Sequence, residues 1–140
     1  MATAPVFATI PNKGVPATLT AANTATDGTG GTGRALIFTA AANGSVLPSI
    51  RVKPLGTGVA TLVRVFRNNG SDPEVASNNA LIAEKAIPAS TISQIAEMGE
   101  YNIPLNLVLQ GGGSPERVYV TLATAHAAGL KITPMNGGDL

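Results

Sequence analysis

VATLVRVFR (Val59–Arg67) alternates on a two-residue period and is rich in β-branched residues, the pattern of a strand rather than a helix. Thr61, Val63 and Val65 share one face with Val59. Ala60, Leu62, Arg64 and Phe66 share the other. Both faces are largely apolar. The strand therefore sits centrally, or its second face meets a partner chain, with Arg64 and Phe66 as the contacts.

Similar short runs lie on either side, separated by turn residues. RALIFT (Arg34–Thr39) reads as a strand, ANGS (Ala42–Ser45) as a turn, and PSIRVKP (Pro48–Pro54) as a strand with Ile50 and Val52 opposite Arg51 and Lys53. NNGSDPEVASNN (Asn68–Asn79) is a polar loop. ALIAEKAI (Ala80–Ile87) suits a strand or a helix, and Pro88 after the β-branched Ile87 favours the strand. STISQIAEMG (Ser90–Gly99) has room for one or two helical turns, with Ser90 or Thr91 as N-cap. Ile103–Leu109 alternates again, with Ile103, Leu105, Leu107 and Leu109 inward. In Glu116–Thr124, Val118, Val120 and Leu122 oppose Tyr119 and Thr121. Leu130–Thr133 closes the series. About eight strands with hairpin-sized connections predict an all-β fold, a jelly-roll-like sandwich of two packed antiparallel sheets. The expected division is an N-terminal arm or edge strand over 1–20 and a single β domain over 21–140.

Composition narrows the function. Cysteine and tryptophan are absent, and His126 is the single histidine. The chain is thus short of the nucleophiles, bases and soft ligands that enzymes use. Aromatic residues make up 4%, so the core must be aliphatic. Charged residues make up 12%, about half the usual ~25%, and suit a surface covered by other copies or another protein. No apolar stretch approaches the ~18 residues of a membrane helix, and the N-terminus lacks the pattern of a secretory signal. The nine basic residues are dispersed, with only Lys13 before Gly33, which argues against nucleic acid as a partner.

The motifs that hint at chemistry have plainer readings. Gly28–Gly33 spells G-x-G-x-x-G, but no strand precedes it and no helix follows, so a flexible loop is expected rather than a dinucleotide site. Asn43-Gly44-Ser45 and Asn69-Gly70-Ser71 match glycan acceptors but also suit tight turns. Asp72 and Glu74 read as solvated loop carboxylates, since the alternating oxygen pattern of a calcium loop is missing. Glu97 and Glu100 lack the aromatic platforms of a glycosidase. His126 reads as structural or solvated, and its replacement is expected to alter stability only slightly. No catalytic residue, metal ligand or cofactor is expected.

Taken in order, DGTGG (Asp27–Gly31), LIFTAAANGSVLPSIRVKP (Leu36–Pro54), ATLVRVFRNNG (Ala60–Gly70), ALIAEKAIPAST (Ala80–Thr91), YNIPLNLVLQGG (Tyr101–Gly112) and ERVYVTLATA (Glu116–Ala125) resemble the small jelly-roll proteins that decorate or cement the capsids of tailed bacteriophages. The resemblance spans roughly Ala21 to Thr133. It implies a homotrimer on the outer capsid surface that clamps neighbouring major capsid subunits, and a virion location. It implies no catalytic residues. A small tail, baseplate or receptor-binding module is the alternative. In the N-terminal stretch, Val6, Phe7 and Ile10 are apolar in a polar, proline-rich surround. An extended arm over Met1–Gly14 is expected to dock Phe7 on a neighbour or on the capsid.

Overall fold

A computed structural model of the chain describes residues 8–140. The chain is all-β, in two antiparallel sheets that form a sandwich. The strands are β1 (Ile10–Pro11), β2 (Ala17–Leu19), β3 (Arg34–Thr39), β4 (Ser45–Pro54), β5 (Thr61–Asn68), β6 (Asn79–Ile87), β7 (Tyr101–Leu109), β8 (Arg117–Leu122), β9 (Leu130–Met135) and β10 (Gly138–Asp139). In one sheet β4 lies between β7 and β9, and β2 flanks β9. The start of β4 pairs with β10, which in turn pairs with β1. The other sheet runs β3-β8-β5-β6. Of the 1–20 segment, Ile10–Pro11 and Ala17–Leu19 are strands of the chain's own sheet.

Alternation builds the core. Leu47, Ile50 and Val52 from β4 and Leu130 and Ile132 from β9 meet Val63 and Val65 from β5 and Val118, Val120 and Leu122 from β8. All are fully buried. Leu105 and Leu107 are only partly buried against this cluster. They flank a bulge. Between Leu47↔Leu107 and Ser49↔Pro104, Pro48 alone faces both Leu105 and Asn106, and Asn106 has φ 49°. A proline has no N–H for the ladder, so it fits in a long strand only where pairing is already broken. β4 also changes partner here, from β10 to β9.

The expected helical turns in Ser90–Gly99 do not form. Ser90 instead makes an isolated bridge to Gly58, and Ser93 Oγ accepts the N–H groups of Ile95 and Ala96 in a side-chain turn. A serine that satisfies nearby amides offers the backbone an alternative to a helix. Val59 also departs from expectation: it precedes β5 and is exposed.

Candidate interaction surface

The second face of β5 is closed. Strand registers align Arg34, Thr121, Arg64 and Glu84 in one row across the outer face of the β3-β8-β5-β6 sheet, with Leu36, Tyr119, Phe66 and Leu81 in the next. Phe66 and Thr121 are fully buried. Phe66 therefore packs within its own chain and offers no surface to a partner, which corrects its assignment as an interface contact. Arg64 is mostly buried, and its Nε donates to Glu84 at 2.9 Å. Its Nη1 and the Thr121 hydroxyl are buried with no hydrogen-bond partner among the described residues. Ile10 is 62% exposed beside β10. Val6 and Phe7 lie outside the described residues.

The glycine-rich loop reaches this face and is pinned rather than flexible. Asn23 is the organiser: its amide donates to the carbonyls of Thr29, Gly30 and Thr32, and its oxygen accepts from Ala25 N–H. Arg34 donates to Gly28 O, pairs with Glu74 at 2.7 Å and lies over the Tyr119 ring. Glu74 also accepts from Gly30 N–H, so it ties two loops together instead of standing free in solvent. Asn79 donates to Asp27 O and Pro73 O. The Asp27 carboxylate accepts from the Thr29 hydroxyl and N–H, and these bonds hold its pKa below the usual range. Because the loop's amides and carbonyls hold one another, this geometry is not that of a phosphate cradle.

Loops gather at the two ends of the sandwich. At one end His126 is fully buried among the loops around residues 20, 56–58, 90 and 129. Its Nδ1 accepts from Gly129 N–H at 3.0 Å. The network therefore assigns the ring proton to Nε2, which lies 3.2 Å from Ser90 Oγ. Ser90 in turn donates to Gly56 O at 2.7 Å. In this pair the imidazole gives a proton to the serine rather than taking one, the reverse of what a serine nucleophile needs. The glycine at position 58 has a packing cause: a Cβ there would collide with the His126 ring.

Above this tie the surface is apolar. Leu55 and Val59 on one loop, and Ile92 and Ile95 on the next, are exposed, Ile95 to 99%. Ile92 N–H donates to Thr57 Oγ1, which joins the two loops. This patch was missed because Ile92 and Ile95 mimic the i, i+3 spacing of a buried helix face. Glu97 and Glu100 stand on the same loop, and Glu100 only approaches Arg51, at 3.9 Å.

At the opposite end Arg67 and Glu116 form a two-pronged ion pair, Nε–Oε1 3.0 Å and Nη2–Oε2 2.6 Å. The hydrogen bonds from Arg67, helped by Gln110 N–H, hold the Glu116 carboxyl below the ordinary range against the opposing push of burial. Beside the pair is an open cleft of about 420 Å³, lined by Ala42, Val108, Leu109, Leu140, Arg67 and loop glycines. Asn43-Gly44 and Asn69-Gly70 form turns at this end, with φ 94° at Gly44 and 92° at Gly70. Among the described residues no group of three or more His, Asp or Glu side chains is placed to hold a metal ion.

No protein-family model matches the chain, and no curated protein does either. One solved structure, described as infectious bursal disease virus Gt strain, aligns over 93% of this chain at 13% identity, with a TM-score of 0.30. The alignment takes in 32% of that chain. A likeness at this level settles neither the topology nor the role of the present chain.

Proposed function

We propose that the chain is a structural protein of a tailed-phage virion, which binds the outer capsid surface as a homotrimer and bridges neighbouring major capsid subunits. It is not an enzyme and works without a cofactor. The observation that carries this reading is the strand order: β2-β9-β4-β7 opposite β3-β8-β5-β6, all antiparallel. Numbered by sequence, that is the nested double Greek key of a jelly roll, the architecture of many capsid and lectin domains. The resemblance over Asp27–Ala125 agrees with it, and so does the placement of exposed apolar groups on loops at one end. A bridging protein binds the closed shell and not its free subunits, so mass action shifts the balance toward the closed shell. Internal pressure that separates subunits must then also break these contacts.

Quantitative mass spectrometry of purified particles, followed by cryo-electron microscopy, tests the reading. The expected result is a copy number comparable to that of the major capsid protein and density on the outer shell. A few copies per particle, located at the tail, would replace this reading with the tail or baseplate alternative. Absence from particles would end both.

A further inference from the structure

The two ends of the sandwich differ in shape as well as in composition. One end projects Ile95, fully exposed on a loop that hydrogen bonds hold in place at Thr57, Gly58 and Ser93. The other end is concave, with Val108, Leu109 and Ala42 around the cleft. β7 joins them: the Ile95 loop feeds its first residue, Tyr101, and its last, Leu109, lines the cleft. Nine extended residues span about 30 Å, so a chain cannot fill its own cleft.

We propose that Ile95 of one copy seats in this cleft of a second copy, in a head-to-tail contact. This deepens the oligomeric part of the reading above and rests on it. Charge permits the contact: Arg67 at the cleft is already neutralised by Glu116, so an apolar knob meets no unpaired ion there. The neighbouring edges are closed to sheet extension. Along β6 the bulge at Ile82 breaks the ladder, and Lys85 occupies a core-facing register opposite Val63. β7 carries Pro104 and the Asn106 bulge. Bulges, prolines and inward-facing charges are the devices that keep edge strands from pairing. Copies are thus left to meet through their ends. Each copy offers one knob and one hollow, so a heterologous contact covers both apolar ends, whereas a two-fold contact would leave one open. Such a contact closes into a ring when its rotation permits.

The chain has no cysteine, which makes the test direct. Ile95→Cys and Val108→Cys alter two exposed side chains. Mixed and oxidised, the two variants are expected to form a disulfide between unlike chains, and neither alone is expected to cross-link. Only Ile95–Ile95 links, or none, would overturn the contact. In light scattering, Ile95→Asp is expected to weaken self-association at least ~10-fold, as for a central interface residue, with an unchanged circular dichroism spectrum. An oligomer unaffected by Ile95→Asp would refute this contact and leave the oligomer standing. A wild-type monomer at micromolar concentration would refute the trimer as well. Binding of that monomer to particles would still be measured separately, by occupancy.

Discussion

Single buried polar groups show where this fold is strong and where it is not. His126 fills a sealed space and satisfies the Gly129 amide and the Ser90 hydroxyl. Its replacement is therefore not the mild change its isolation in sequence predicts. His126→Ala is expected to cost about 2–4 kcal/mol, from the cavity and the stranded polar partners together. Chemical denaturation measures it as a fall in midpoint at constant slope. Gly58→Ala is expected to destabilise through the same ring, from the other side. Thr121 is the opposite case. Its hydroxyl is buried with no partner among the described residues, so Thr121→Val keeps the shape and removes an unpaid desolvation. A gain of up to about 1 kcal/mol is expected, read as a melting temperature a few degrees higher.

Among the elements, β3 was legible residue for residue, and β5, β7 and β8 nearly so, because each keeps one apolar face against the core. Local periodicity carries that much. It does not carry what covers the other face. Phe66 has the same alternation whether its neighbour is a partner chain or a loop of its own chain, and only the fold brings the Asn23 loop to that side of the sheet. The knob at Ile95 and the hollow near Leu109 were likewise hidden, since each is made by segments distant in sequence. The Arg67–Glu116 clasp is another such long-range product, and it carries a pH signature. Glu116 has a lowered pKa in the folded chain, so its contribution is present above the ordinary glutamate value of about 4.3. It is lost as pH falls through the lower, folded value. Glu116→Gln is expected to lower the melting temperature at pH 7 and to flatten its further decline below pH ~4, where wild type loses the same interaction. A parallel acid decline in both proteins would show that other carboxylates govern it.

At the scale of the whole molecule, pairing is nested. β1 pairs with β10, β2 with β9 and β3 with β8, so the outermost segments of the described chain close upon one another. Removing residues 130–140 would strip β4 of one neighbour and leave β2 unpaired. That truncation is expected to abolish cooperative thermal unfolding, whereas removing residues 136–140 costs only the two-residue β10 and its pairing with β1. Nesting also sets a timetable. During synthesis neither sheet can be completed early: β3 waits for β8, and β2 and much of β4 wait for Leu130–Met135. Contacts between residues far apart in sequence form slowly, after the entropy of closing long loops is overcome. A growing chain on the ribosome therefore presents loose strands rather than a finished sandwich. The knob and the hollow come into being only after the last strands emerge, so copies of this protein can recognise one another only once each has been released.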